Sequence, residues 1–341
     1  MKKTILSLLI LALFATIFIF SGCEDPVELP PPEYPNDAWF TLAITDNTLG
    51  SHDYANAVML DFNGTVRPDV VVPKRVSEPP VIDGHANDAA WQFVEPTQLI
   101  LTKAAGGTDI VAATVKSVYT ETHLYFLVSW LDPTYTQNDI PGRWVYSGGQ
   151  WYNKYDENGQ PSHGGEMRYE DALMLGFTDE TRFPDFSTLG CASTCHGDAY
   201  HYTPPESFLD LWYWGAGRTN PRFQADDWYR FGGTGVDPGG APFLFNSTGN
   251  NPAYQHIGDP NSNTPYLWTE ESIIFDTGAS WVSGSTVAGN VLYEANGGRG
   301  NVEARGRFNG GAWTVELGRL LDTGDPYDYI FTWGEEDDSE E

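Results

Sequence analysis

Short runs of alternating apolar and polar residues recur along the chain from Thr97 onward. The run near the C-terminal end shows the pattern: Trp313, Val315 and Leu317 share one side of an extended chain, and the residues between them are polar. This two-residue period predicts strands. The predicted strands are Thr97–Thr102, Ala113–Tyr119, Leu124–Leu131, Ala172–Phe177, Ser272–Phe275, Val291–Glu294, Val302–Arg307 and Trp313–Leu317.

Turn-forming and aromatic residues agree with this prediction. The 341 residues include 36 Gly and 23 Pro, together with 12 Trp, 18 Tyr and 18 Phe. Many turns combined with many aromatic residues are typical of β structure. Residues 120–123 are expected to join two of the predicted strands as a hairpin. The fold class predicted from these patterns is all-β, with an antiparallel β-sandwich as the architecture.

Two long segments interrupt the predicted strands, at about residues 132–169 and 178–270. Loops of this length in a compact domain are usually functional or disordered. The second segment is rich in aromatic residues, which argues against disorder. It also contains the sequence Cys191-Ala-Ser-Thr-Cys195-His196.

Two cysteines followed directly by a histidine are the residues that covalent haem attachment requires. Each thiol adds to a haem vinyl group, and the adjacent imidazole binds the iron. Three residues separate the cysteines here, where the usual number is two, and Cys195 and His196 stay adjacent. We therefore expect one covalent haem c held by Cys191 and Cys195, with His196 as the proximal iron ligand. A Cys191–Cys195 disulfide is the alternative, and a zinc site lacks a second cysteine pair.

The N-terminal residues form a targeting segment. Lys2 and Lys3 precede the apolar run Ile5–Phe20, and Phe20-Ser-Gly-Cys23 resembles a bacterial lipobox. Residues 1–22 are interpreted as a lipoprotein signal peptide, with Cys23 as the lipidated residue. The alternative is a transmembrane anchor, for which 16 apolar residues are short. The proline-rich residues 23–36 are expected to form a stiff tether. The expected location is the bacterial cell envelope, lipid-anchored and facing the periplasm or the outer surface.

The chain is strongly acidic, with a formal net charge of −29. This charge argues against binding to nucleic acid and against electrostatic docking on anionic lipid. It suits an exported domain that docks a basic partner. We therefore expect membrane attachment through lipidated Cys23 and a redox partner protein in the cell envelope.

Two stretches of the chain resemble a known family. Residues 80–91 resemble the opening of the sandwich domains shared by family 9 carbohydrate-binding modules and the haem-binding subunits of ethylbenzene-dehydrogenase-type enzymes. A second, ordered series is similar to the ethylbenzene dehydrogenase-related, cytochrome c-552/DMSO reductase-like haem-binding domain. Its parts are Glu170–Phe177, Phe183-Pro-Asp, Gly190–Gly197, Asp210–Trp214, Arg218–Pro221, Ala225–Asp227, Leu124–Pro133 and Trp313–Arg319.

The resemblance implies a sandwich like that of family 9 carbohydrate-binding modules, which holds one haem in its long loops and passes electrons. It implies no catalysis by this chain, because the chemistry of that family lies on a separate molybdenum subunit. Residues 77–341 are expected to form the haem-binding sandwich and to end before the last strand of related domains. Residues 37–76 are expected to form an N-terminal extension or edge strands.

The distal iron ligand is the least determined part of the predicted site. Related domains carry a histidine and a lysine where this chain has Tyr213 and Gly215. We therefore expect His256 as the distal ligand, because it lies in the long loop region far in sequence from His196. The alternatives are Met174 and His201. Arg218 is expected to pair with a haem propionate, since its guanidinium matches carboxylates.

Two functions follow from these observations. The first is a lipid-anchored c-type cytochrome of the cell envelope, with one haem and a role in electron transfer. The alternative is a non-catalytic carbohydrate-binding or adhesion lipoprotein with a Cys191–Cys195 disulfide, in which the tryptophans form a sugar platform. Acidic residues are too numerous in this sequence for paired carboxylates to indicate a catalytic site.

Overall fold

A computed structural model of the protein describes eleven parts of the chain, all of which fall within one compact unit, Pro35–Glu341. The described residues are 37–45, 53–62, 70–103, 110–133, 142–184, 186, 195–196, 200–201, 207–231, 235–262 and 264–332. The expected signal peptide (1–22), the tether (23–36), Cys191 and residues 333–341 lie outside these parts.

Strands make up nearly all of the regular structure in the described parts. The first ten are β1 (Asp37–Thr45), β2 (Asp53–Asp61), β3 (Val70–Val71), β4 (Lys74–Arg75), β5 (Thr97–Lys103), β6 (Ile110–Tyr119), β7 (His123–Leu131), β8 (Trp144–Ser147), β9 (Gln150–Tyr152) and β10 (Ala172–Thr178). The next eight are β11 (Cys195–His196), β12 (Tyr200–His201), β13 (Phe208–Gly215), β14 (Asp226–Phe231), β15 (Gly235–Val236), β16 (Gly239–Gly240), β17 (Phe243–Phe245) and β18 (Tyr254–His256). The last seven are β19 (Leu267–Trp268), β20 (Ser272–Ile274), β21 (Thr286–Val287), β22 (Asn290–Leu292), β23 (Asn296–Gly297), β24 (Glu303–Asn309) and β25 (Ala312–Leu320). One short α-helix, α1, covers Ala89–Gln92, and three 3₁₀ turns cover Asn220–Arg222, Thr269–Glu271 and Gly298–Gly300.

Thirteen strands form the main sheet. Its order is β15-β14-β13-β10-β1-β2-β5-β6-β7-β25-β24, with β3 beside β2 and β4 beside β6. Every pair of neighbours along this path is antiparallel. The two parallel pairs in this sheet are β3 with β2 and β4 with β6. The all-β, antiparallel prediction is therefore confirmed.

Aromatic contacts show that the two halves of this sheet pack face to face. Phe126 of β7 lies 5.7 Å from Phe177 of β10 and 6.0 Å from Trp212 of β13, measured between ring centroids. Trp130 of β7 lies 6.3 Å from Trp214 of β13. Strands β7 and β13 are far apart in the sheet order, so these contacts cross a shared interior. The arrangement is consistent with a β-sandwich.

Residues 80–91 close the outer side of β25. Trp313, Val315 and Leu317 point into the core, as the alternation predicts, but Glu316 on the opposite side is also fully buried. Its carboxylate accepts hydrogen bonds from Trp91 Nε1 (2.7 Å), from the Asp83 amide (3.0 Å) and from the Gly84 amide (2.7 Å). Burial raises the pKa of Glu316 to about 7, against the lowering effect of these three donors.

Residues 37–76, expected as an extension or as edge strands, instead supply interior strands. β1 lies between β10 and β2, and β2 continues the sheet to β5. Leu42, Ile44, Val58 and Leu60 are buried in the main core. β1 and β2 therefore lie inside the main sheet, and the expected edge position is not found for them.

The long segment 178–270 contains three strands of the main sheet that alternation did not predict: β13, β14 and the two-residue β15. In β13, Trp212 and Trp214 point into the core, while Leu209 and Leu211 are buried on the opposite side. A strand buried on both sides has no polar alternation, so the pattern missed it. The predicted strands near 272 and 291 exist as β20 and β22, but they belong to small separate sheets.

Candidate functional site

The second cysteine and the histidine of the predicted haem motif form the short strand β11. It pairs antiparallel with β12, and the register places Cys195 opposite His201 and His196 opposite Tyr200. The backbone therefore brings His201, one of the alternative distal ligands, next to the motif itself. Cys191 lies outside the described residues.

Described residues on both sides of this motif in the sequence are buried in the fold. Phe186 is fully buried before the motif, and Ser207 is buried after it. Phe186 packs on Phe183 with ring centroids 5.1 Å apart. Both belong to an apolar group that we call the outer-face cluster: Trp39, Met174, Phe183, Phe186, Leu209, Leu211 and Trp228.

Met174 is the predicted ligand candidate that lies in the outer-face cluster. It is half-buried in β10, directly opposite Tyr213 in the register of β10 and β13. The Tyr213 ring stacks on Trp228 at 5.6 Å. Aromatic and aliphatic side chains therefore pack against Met174 on this side of the sheet.

Arg218 is held by partners within the protein. Its Nε pairs with Glu170 Oε1 and its Nη2 donates to the Tyr213 hydroxyl. The guanidinium also lies 4.8 Å from the centre of the Phe243 ring. Glu170 is buried and accepts the amides of Gly217 (2.5 Å) and Arg218 (2.9 Å) as well. Burial lowers the pKa of Arg218, but the interactions with Glu170 and Tyr213 raise it by more. The net result is a raised pKa. The structure thus assigns this guanidinium to Glu170 and Tyr213.

His256 closes a local turn. Its Nδ1 accepts the backbone amides of Gly258 (3.0 Å) and Asp259 (3.2 Å), and its Nε2 lies 3.9 Å from Glu271 Oε2. Two donors on Nδ1 put the proton of the neutral ring on Nε2. His256 belongs to β18, which pairs with β20 in a two-stranded sheet separate from the main sheet. Nδ1 of His256 is therefore engaged in the turn, whereas Nε2 lies beyond hydrogen-bond distance of Glu271.

A buried cluster of charged residues beneath β13 was not found from the sequence. Arg319 of β25 has no exposed side-chain surface, and its Nη1 lies 2.9 Å from Asp210 Oδ2, 3.2 Å from Asp227 Oδ2 and 3.5 Å from Asp328 Oδ1. The guanidinium also lies 4.8 Å from the Trp212 ring. Charged residues inside otherwise apolar strands were the signal that could have found it, because Asp210 and Arg319 interrupt such runs.

Burial dominates the titration of these carboxyls. It raises the pKa of Asp210 to about 6, against the lowering effect of Arg319. It also raises the pKa of Asp227 well above its ordinary range. For Asp237, burial and the charges of Asp328, Asp210 and Asp325 raise the pKa to about 8.

A family model described as ethylbenzene dehydrogenase matches residues 86–338. The chain belongs to the ethylbenzene dehydrogenase family. The resemblance seen in the sequence motifs is therefore confirmed. No curated protein matches the chain significantly.

The ethylbenzene dehydrogenase match covers the outer-face cluster except Trp39, the Cys195–His196 strand and all of the residues around Arg319. It begins after β1 and β2, the two strands that lie between β10 and β5. Among the residues that the structure describes, no helix is long and apolar enough to cross a membrane.

Proposed function

We propose that this protein is an electron-transfer protein that carries one covalent haem c and is anchored by lipid in the bacterial cell envelope. Cys191 and Cys195 would form the thioether bonds, and the His196 imidazole would bind the iron. The observation that carries the proposal is that Cys195 and His196 are adjacent in a chain of the ethylbenzene dehydrogenase family. They follow in sequence the buried Phe186, which belongs to the apolar, aromatic outer-face cluster.

The residues present fit a haem. Two thiols and an adjacent imidazole are the donor set that covalent haem requires. The outer-face cluster offers the aromatic and aliphatic surface that a macrocycle needs for burial, with half-buried Trp39, Met174 and Trp228 at its margin. When bound, the haem supplies one-electron chemistry at its iron. The sandwich, which we propose resembles family 9 carbohydrate-binding modules, would hold it in its long loops.

For the distal position, the contacts favour Met174 over His256. Met174 lies in the outer-face cluster, whereas His256 belongs to a separate two-stranded sheet and its Nδ1 is held by two backbone amides. His201 remains the other candidate, since its backbone lies opposite Cys195. Glu170 and Tyr213 already bind the Arg218 guanidinium, so a propionate would have to compete with them for it.

The chain's own role in this proposal is to carry electrons, and the oxidation or reduction of a substrate belongs to a partner subunit. The net charge of −29 suits docking on a basic surface of that redox partner. Lipidated Cys23 and the proline-rich residues 23–36 would hold the sandwich near the membrane at which the partner works.

The deciding experiment is haem analysis of the full chain after expression with periplasmic haem-attachment machinery. We expect a c-type absorbance spectrum and a chromophore that stays with the polypeptide in acidified acetone. Cys191→Ser and Cys195→Ser should each weaken covalent retention, whereas Cys23→Ser is a matched thiol control that should retain the haem. A protein without haem, in which mass spectrometry finds a Cys191–Cys195 disulfide, would instead support the carbohydrate-binding lipoprotein.

A further inference from the structure

Three buried aspartates gather around a single buried arginine, and a fourth lies beside them. Arg319 lies within ion-pair distance of Asp210, Asp227 and Asp328, and one oxygen from each of these carboxylates lies within 4.8 Å of the others. Asp237 adds a fourth carboxylate, whose charge interacts with Asp328 and Asp210. One guanidinium cannot neutralise four carboxylates, and unpaired buried charge is expensive.

The hydrogen bonds of the cluster leave specific oxygens unused. Asp210 Oδ2 accepts the Tyr329 amide at 2.7 Å in addition to Arg319. Asp328 Oδ2 accepts Asn301 Nδ2 at 3.2 Å and the Thr323 hydroxyl. The other oxygens, Oδ1 of Asp210, Asp227 and Asp328, are buried and accept no hydrogen bond.

Asp237 gives a separate indication of a ligand. It precedes β16, and only 2 % of its surface is exposed. Its carboxylate oxygens receive no hydrogen bond from a donor group, and they contact the carboxyl of Asp328, which is itself an acceptor unless protonated. Its charge is acted on first by Asp328, then by Asp210 and Asp325, so the carboxylate faces the cluster. Buried polar groups without a partner are uncommon in folded proteins and call for an unseen ion or proton.

We propose that this cluster binds a Ca²⁺ ion through Asp237 and Asp328, with Asp210 and Asp227 available to complete the site beside Arg319. Hard cations prefer oxygen ligands, and Ca²⁺ takes about six to eight of them, whereas Mg²⁺ usually keeps several waters and one or two carboxylates. Several carboxylates in a buried site therefore favour Ca²⁺. The proposal does not depend on haem binding.

The bound ion would link parts of the chain that are distant in sequence. Asp210 belongs to β13, Asp227 to β14, and Asp328 to the segment after β25. The segment containing Asp328 also closes over the core, where Phe331 contacts Phe177 at 5.0 Å. Calcium would thus tie the last described residues to the two strands that flank the outer-face cluster.

Metal content and thermal unfolding of the full chain test this proposal. We expect about one calcium per chain to survive gel filtration in metal-free buffer. We also expect Ca²⁺ at roughly 100 times its Kd to raise Tm by about 5 °C relative to EGTA. Asp237→Asn should lose most of this rise. It should still fold, because the substitution removes an unpaired buried charge.

Asp322→Asn is the matched control, because it makes the same change at an exposed position in the loop that contains Asp328. Its Tm should respond to Ca²⁺ as the wild-type Tm does. A wild-type chain that retains no calcium, and whose Tm is the same in Ca²⁺ and EGTA, overturns the proposal and indicates that protons neutralise the cluster. An Asp237→Asn variant that responds as strongly as the wild type also overturns it.

Discussion

Gly306 of β24 lies directly against the indole of Trp214 in β13, so that a Cβ at position 306 would be 2.2 Å from Cζ2 of the ring. The ring cannot easily move. Its Nε1 donates to Asn220 Oδ1 at 3.2 Å, and it packs edge-to-face on Trp313 at 4.9 Å. The close packing of β24 against Trp214 therefore requires a residue without a side chain at position 306.

We expect Gly306→Ala to lower the free energy of unfolding by about 1–3 kcal/mol, because an added methyl group in a filled core forces neighbours to shift. Urea unfolding of the apoprotein measures this change. Gly164→Ala is the control, since the nearest atom to its Cβ would be Ser162 Oγ at 4.0 Å. Equal midpoints for Gly306→Ala and wild type would contradict the packing argument.

The buried Glu316 should make stability depend on pH. Its pKa is raised to about 7 by burial, from an ordinary 4.5, so the folded protein holds a proton that the unfolded chain releases. This contribution is fully present below pH 4.5 and is lost as the pH rises through about 7. Relative to Glu316→Gln, the wild type should therefore lose stability over this window, by no more than about 1.4 kcal/mol per pH unit.

The measurement is urea unfolding of both proteins from about pH 4 to about pH 8. Glu303→Gln, at an exposed position of β24, serves as the control and should differ from wild type by a constant amount. If the difference in unfolding free energy between wild type and Glu316→Gln is also independent of pH, the Glu316 carboxyl does not change its pKa from 4.5 to about 7 on folding.

The proposed distal ligand predicts a spectral change. In the haem-loaded protein, Met174→Ala should convert the iron to a high-spin form and lower its reduction potential, because thioether ligation raises the potential. His256→Ala should leave the visible and EPR spectra unchanged, because Nδ1 of that ring accepts hydrogen bonds in the turn that follows β18. A high-spin spectrum for His256→Ala, with Met174→Ala unaltered, would reverse the assignment.

Membrane attachment should depend on a single thiol. Cys23→Ser removes the proposed lipid acceptor, so the protein should move from the membrane fraction to the soluble fraction while its haem content stays the same. Fractionation and immunoblotting of cells that express each form measure this. Persistence of the Cys23→Ser variant in the membrane fraction would point to the alternative reading of Ile5–Phe20 as an anchor.

Local patterns predicted several strands of the main sheet. β6, β7 and β25 lie where alternation placed them, and residues 120–123 form the hairpin, with the Thr120 amide 2.9 Å from the His123 carbonyl. The apolar strand β13 was missed because Leu211 is covered by the outer-face cluster while Trp212 is covered by the core. Phe183 and Phe186 of the outer-face cluster, which pack with Leu211, lie more than twenty residues before it in the sequence. A pattern within β13 itself therefore cannot reveal that this side is buried.

The candidate site also has one part that could be predicted from the sequence and another that could not. Cys195 and His196 are adjacent in sequence, so their chemistry could be read directly. The partners of Arg218 could not, because Glu170 reaches it only through the pairing of β10 with β13. The residues around Arg319 were hidden for a different reason: acidic residues occur throughout the chain, and only the fold selects the few that are buried together.

The position of β1 between β2 and β10 has a consequence for how the chain folds. β1 and β2 can form a hairpin as soon as both have been synthesised, but the register partners of β1 in β10 run from Ala172 to Thr178. Until that segment arrives, the hairpin presents an unpaired edge, which is a template for association between chains. Contacts of such long sequence separation also slow folding. During synthesis, this edge of β1 is therefore exposed for the time that about 110 further residues take to appear, and a chaperone that binds extended chain would protect it.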